Sequence, residues 1–390
     1  MNRGYSLPLS VDAMMAKARE IAGVDFVDHA VVEPLTVLHR SLCEEAQLTE
    51  KGALAKQNRL LSMMANRLRM QRDFAHHPEI AAEKIDGPLI VCGMARSGTT
   101  KTQKVLAASG DFNWLPYWQC YNPSSFTGQP NENTDARIAE ADAYCRWFAE
   151  ASPEHVSGHA FETFEAEEDT VLTEHSFVTP AFVGYGFVPS YLQWLGSQPP
   201  TLLFEYLRDL LKYLQWQGLA SASKRWLLKA PLYNGLELEI LKVFPDAHFV
   251  MTHRSPLQTL PSSCKLSACF TLPFSNAMPP WEVISNGFVM SLSRHLTIRK
   301  THPELPMLDL SFDEVNKSMD SAIEKIYAHA GMSLSEASRQ RMRQWSIDHP
   351  MHKNGPFKYS LEEFGLNEAK IKQDMAGYLD LLKTLFDKTP

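Results

Sequence analysis

No apolar run in this 390-residue chain approaches the ~20 residues that a membrane-spanning helix needs. The N-terminus has no basic stretch followed by an apolar core, so no secretory signal is expected. Cysteine is sparse, with Cys43, Cys92, Cys120, Cys145, Cys264 and Cys269, and no pair has Cys-x-x-Cys spacing. That excludes the common zinc and redox frameworks and leads us to expect reduced thiols in a cytoplasmic protein. Positive charge is not in surplus either. The net charge is −7, against a broad nucleic-acid footprint, though a local basic pocket for a nucleotide is compatible with it. There is no internal repeat, no low-complexity tract and no clustered metal-ligand spacing, so no metal is expected. At 44% hydrophobic and 21% charged, the composition suits one large domain, or one domain with a helical extension.

What is present centres on Leu89-Ile90-Val91-Cys92-Gly93-Met94-Ala95-Arg96-Ser97-Gly98-Thr99-Thr100. The apolar run 89–92 reads as a buried strand, and Lys101 to Ser109 reads as a helix stopped by Gly110. Strand, glycine loop and helix in that order make an anion cradle, with backbone N–H groups and the positive helix end aimed at one phosphate. Gly93 and Gly98 have the spacing of a nucleotide P-loop, but Thr99 stands where the P-loop lysine belongs. That lysine serves the β- and γ-phosphates, so its absence counts against an ordinary kinase or NTPase.

A second landmark is Arg225-Trp226-Leu227-Leu228-Lys229-Ala230-Pro231. Trp226 to Leu228 reads as a strand, and a lysine leaving its carboxyl edge points into the usual ligand crevice. A third strand, Ala247 to Thr252, runs into His253-Arg254-Ser255-Pro256, with Ser262 eight residues beyond Arg254. Ser255, Pro256 and Gln258 read as N-cap, N1 and N3 of a capping box. Pro261 is expected to bend the helix that carries Ser262.

The run Arg96-Ser97-Gly98-Thr99-Thr100 resembles the 5′-phosphosulfate loop of sulfotransferases, the enzymes that use 3′-phosphoadenosine 5′-phosphosulfate (PAPS). Their loop usually begins with proline, and here Ala95 takes that place. Lys229 is similar to their lysine near the transferred group, and Arg254 with Ser262 resembles their 3′-phosphate motif. The resemblance covers about residues 10–385 and is closest to the bacterial type with an N-terminal helical extension. It implies an α/β, P-loop-like three-layer fold with a central parallel sheet, a helical extension over 1–80 and a catalytic domain over 81–390. It also implies transfer of a sulfuryl group from PAPS to a hydroxyl or amine of a small, hydrophobic acceptor, without a metal. Arg96 and Lys229 would stabilise charge on the departing phosphate, Ser97, Gly98, Thr99 and Thr100 would hold the 5′-phosphate, and Arg254 and Ser262 the 3′-phosphate. Two alternatives stay open: a P-loop nucleotide kinase or NTPase, and a catalytically silent nucleotide-binding protein.

The histidine that follows the lysine in the cytosolic type of that family is absent, since Pro231 and Leu232 fill the region. A base must come from elsewhere. His159 and Glu167 are the candidates, with Glu168 behind them, because an imidazole or a carboxylate of raised pKa can take a hydroxyl proton. The aromatics of 114–126 and 177–194 are compatible with a hydrophobic acceptor site, or with packing alone. The stretch 10–80 reads as helical, with Arg59, Arg67, Arg69 and Arg72 read as a solvated face. A loop over 349–359, with Lys353, Asn354, Gly355 and Lys358, is a loose match to a nucleotide-closing loop, and 367–387 reads as one amphipathic helix.

Overall fold

A computed structural model of the chain describes residues 4–350, 355 and 357–386. Three helices lead: α1 (Val11–Ala22), α2 (His29–Glu44) and α3 (Glu50–His76). Ser10 caps α1 by accepting from the Ala13 N–H, and Thr49 caps α3 by accepting from Gly52. These helices do not close a core among themselves. Their buried leucines and methionines share one apolar cluster with Phe177, Phe182, Tyr185, Val188 and Tyr191 from mid-chain.

Four short strands follow: β1 (Leu89–Gly93), β2 (Leu227–Lys229), β3 (His248–His253) and β4 (Met307–Ser311). They form one parallel sheet in the order β2-β1-β3-β4. Buried on both faces, the central strands read as apolar runs rather than alternating ones. Leu89, Val91, Leu227, Val250 and Leu310 pack against the helices Thr99–Ala108 and Met319–His329. Ile90, Cys92, Leu228, Phe249 and Met251 face Thr201–Trp216, whose buried leucines recur at helical period. The result is the three-layer α/β fold with extra N-terminal helices.

Three expectations need correction. Arg59 and Arg67 are not on a solvated face; they are 4% and 6% exposed. Arg59 pairs with Glu174 at 3.1 Å and Arg67 with Asp28 at 2.7 Å, so each buried cation has its counter-charge. The helix after β3, Pro256–Thr271, starts with Ser255 at its N-cap but without a capping box. The Gln258 carbonyl is taken by Arg254 Nε at 2.9 Å instead. The last helix is two, Glu368–Asp374 and Ala376–Phe386, interrupted at Met375 (φ −111°, ψ 21°).

Candidate active site

The loop after β1 curls because two glycines allow it. Gly93 has φ +130°, and a Cβ there would stand 2.3 Å from the Thr252 carbonyl oxygen. Gly98, at φ +106°, is the N-cap of the helix Thr99–Ala108. The first backbone bond of that helix runs from Thr102 N to Gly98 O at 3.1 Å. The N–H groups before Thr102 therefore point out of the helix start, where an anion would meet them. Arg96 itself has positive φ, 71°, a conformation that turns its side chain across the cradle.

Ser97 is turned the other way. Its hydroxyl is fully buried, donates to the Met94 carbonyl at 2.6 Å and lies 2.8 Å from the Thr252 hydroxyl. Asn234, unremarked in the sequence, accepts from the Gly93 N–H at 2.9 Å. These contacts bolt the loop to β3 and to the turn after β2.

Arg96 gathers the cradle's other parts. Its Nε donates to Ser262 Oγ at 3.1 Å, and its Nη1 to the Gly158 carbonyl at 2.5 Å. Arg254 Nη1 donates to the Arg96 carbonyl at 3.1 Å, and its guanidinium lies 4.1 Å over the Phe312 ring. The Pro256–Thr271 helix runs on through Pro261, so Ser262 arrives buried beside Arg96. Burial, with the charge of Arg254 beside it, pulls the Arg96 pKa down against the influence of Tyr359 and Glu168. Two cations held this close are a site that an anion would relieve.

Lys229 enters from the end of β2. It is fully buried, yet its Nζ reaches Glu168 Oε1 at 2.5 Å and Thr100 Oγ1 at 3.3 Å. Asp169 holds the backbone beneath it, accepting from Lys229 N at 2.8 Å and from the Tyr233 hydroxyl. Burial raises the Asp169 pKa to about 6 despite those bonds. Sequence reasoning gave Asp169 and Tyr233 no role, since their hydrogen bond joins segments 64 positions apart.

His159 ends a short helix, Pro153–His159, and its Nε2 lies 2.8 Å from Glu167 Oε1. Glu167 is 4% exposed and also accepts from the Glu168 N–H at 2.7 Å. Burial alone would raise its pKa, but His159, Lys229 and that N–H more than offset it and bring it to about 2. Glu167 is thus a fixed anion, the state suited to orienting an imidazole rather than to accepting a proton. One ligand atom each from His159, Glu167 and Glu168 lie within 4.8 Å of one another, the spacing of a cation site. Both carboxylates already have cationic or N–H partners, Glu168 in Lys229 and Glu167 in His159.

Arg96, Arg254 and Ser262 thus form one group, and Lys229 joins Thr100 and Glu168, with the His159–Glu167 pair adjoining Glu168, at the carboxyl edge of β1, β2 and β3, the usual ligand crevice of an open parallel sheet. Lys353 and Asn354 of the late loop lie outside the described residues. Phe357 places its ring 5.3 Å from the Arg96 guanidinium. Of the aromatic stretches, Tyr117 packs against Tyr121 and Phe161, and the Phe161 ring stands 5.9 Å from that of His159, whereas Phe177, Phe182, Tyr185 and Tyr191 are core. Among the described residues no helix is long and apolar enough to cross a membrane.

Comparison with known proteins meets this geometry. A model of the sulfotransferase family matches residues 88–336. Two curated relatives, the omega-hydroxy-beta-dihydromenaquinone-9 sulfotransferases Stf3 of Mycobacterium bovis and Mycobacterium tuberculosis, are each 22% identical over 294 residues, 71% of this chain and 71% of theirs. The solved sulfotransferase STF1 of Mycobacterium tuberculosis is 26% identical with a TM-score of 0.77, covering 95% of this chain and 100% of its own. STF9 of Mycobacterium avium, at 23% identity and a TM-score of 0.81, shares the fold over 95% of this chain and 96% of its own.

Proposed function

The chain belongs to the sulfotransferase family and is an enzyme that moves a sulfuryl group from a sulfonate donor, and from that premise we propose that the donor is PAPS and the acceptor a small hydrophobic alcohol or phenol. The observation that carries the reading is the meeting of Arg96, Ser262 and Arg254 at the start of the Thr99–Ala108 helix, with Lys229 beside Thr100. A donor with two phosphate positions needs two anion-binding points, and these residues supply both.

In this reading Gly98, Thr99 and Thr100 hold the 5′-phosphate with the helix's free N–H groups. Arg254 and Ser262 bind the 3′-phosphate, and Ser97 shapes the loop from within. Arg96 and Lys229 face the bridging oxygen, where charge builds as the sulfur–oxygen bond to the leaving phosphate breaks. Lys229 exchanges Glu168 for that oxygen when donor enters. His159 takes the acceptor proton. Glu167 holds the proton on Nε2 and leaves Nδ1 as the accepting nitrogen. Soft apolar acceptors suit the aromatic border at Tyr117 and Phe161, and the curated relatives are named for a menaquinone derivative.

Calorimetric titration with adenosine 3′,5′-bisphosphate, beside ADP and ATP with Mg²⁺, tests the donor site. Micromolar binding of the bisphosphate is expected. Arg254→Ala should weaken it about thirty-fold, the loss of about 2 kcal/mol in charge-assisted bonds. Preference for ATP with Mg²⁺ would overturn the reading.

A further inference from the structure

The helix that opens the donor cradle also reaches the base. Gln103 lies one turn beyond Thr99 on Thr99–Ala108 and is 1% exposed. Its Nε2 donates to the Glu167 carbonyl oxygen at 2.8 Å. That carbonyl belongs to the peptide joining Glu167 to Glu168. The N–H of the same peptide donates to Glu167 Oε1 at 2.7 Å, and Oε1 is the oxygen that lies 2.8 Å from His159 Nε2. A peptide is planar, so the group that holds its oxygen also aims its N–H. Gln103 thus connects to the imidazole through one rigid plane and one carboxylate oxygen.

Packing does not account for a glutamine at this place. Its Oε1 is buried and, among the described residues, has no hydrogen-bond partner. Turning the amide round would be worse, since two carbonyl oxygens would then face each other. A buried unpaired oxygen costs free energy that a methionine or leucine in the same space would not. The fold does not need the amide to hold this segment either. The Glu167 N–H is held by the Leu115 carbonyl at 2.8 Å, and Asp169 is tied to Lys229 N at 2.8 Å. What the amide adds between those two anchors is the setting of the 167–168 plane.

We propose that Gln103 is a positioning residue for the His159–Glu167 pair, holding Glu167 Oε1 on the imidazole and keeping the base in register with the helix that binds the donor. It acts through the 167–168 peptide and not on the substrates. The inference rests on the sulfotransfer reading, with His159 as the base.

Gln103→Met and Gln103→Leu remove the donor and keep an apolar side chain of similar size. Each variant exchanges one unpaired oxygen for another, Gln103 Oε1 for the Glu167 carbonyl, so urea midpoints should match wild type. Single-turnover transfer from PAPS to 2-naphthol should slow about ten- to a hundred-fold, the cost of a misplaced catalytic group, while affinity for adenosine 3′,5′-bisphosphate stays within about two-fold. In the Glu167→Gln background the same substitutions should cost less than about two-fold more, because the path they break is already broken. The nitrogen-15 spectrum of the His159 ring is a readout that needs no turnover. In mildly alkaline solution the wild type should show one neutral tautomer, with the proton on Nε2, and both variants a mixture. Altered tautomers with unchanged transfer would keep the role of Gln103 and reject His159 as the base. A ring spectrum unchanged in both variants, losses that multiply with Glu167→Gln, or a fall in urea midpoint that tracks the fall in rate would overturn the inference.

Discussion

Glu167→Gln isolates what the carboxylate does for His159. In the wild type the carboxylate oxygen lies 2.8 Å from His159 Nε2. With charge centres about 4 Å apart and an effective dielectric constant of about 20, the carboxylate is worth about 4 kcal/mol to an imidazolium forming there. The amide loses that charge. It can also turn its NH₂ toward Nε2, which moves the ring proton to Nδ1 and blocks the nitrogen that should accept. General-base catalysis contributes about 10²- to 10⁴-fold, so kcat should fall by about 10²- to 10³-fold. The hydrogen bonds of Glu167 go to His159 and the Glu168 N–H, not to the cradle, so bisphosphate affinity should stay within about two-fold. Single-turnover transfer from PAPS to 2-naphthol, followed from pH 5 to 9, measures the effect. Because the Glu167 pKa is about 2, its carboxylate is ionised across this range and stays an acceptor for His159 Nε2–H throughout. A kcat within three-fold of wild type, or a far larger loss in Glu168→Gln than in Glu167→Gln, would refute the assignment of His159 as base.

Two further outcomes concern stability. Arg59→Met strips Glu174 of its buried partner and should cost about 3 kcal/mol in urea unfolding, with part recovered in the Arg59→Met/Glu174→Gln double variant; strictly additive losses would show that the pair is not coupled. Burial holds the Asp169 carboxyl at about 6, above the usual carboxylate range, so its ionisation weakens the fold as pH rises from about 4 through 6. Asp169→Asn removes that penalty, and its stability relative to wild type should improve by about 2 kcal/mol between pH 4 and pH 7 in denaturant midpoints; a difference independent of pH would refute the assigned shift.

The parts of the molecule set by local pattern could be read from the chain. The apolar run before Gly93 is β1, and the leucine period of 201–216 matches the helix Thr201–Trp216. The cradle was legible because strand, glycine loop and helix are contiguous, and Lys229 because it ends a strand. Partnerships between distant segments were not. Arg59 looks like a surface residue until Glu174, 115 positions away, is beside it, and Gln258 looks like a capping residue until Arg254 claims its carbonyl. The base stayed ambiguous among His159, Glu167 and Glu168 for a similar reason. Only three-dimensional placement gives Glu168 to Lys229 and Glu167 to His159.

The long helix α3 has a practical consequence for anyone trimming this protein to a smaller catalytic piece. It is tied to mid-chain segments at three levels: Arg59 to Glu174, Arg67 to the carbonyl of His175, and Asp73 to the hydroxyl of Tyr213. A chain cut just ahead of β1 would bare Phe177, Phe182 and Tyr191 to water and leave the Glu174 carboxylate without its guanidinium. The leading helices and the sheet should accordingly melt together, as one calorimetric peak, and a shortened chain is more apt to aggregate than to work.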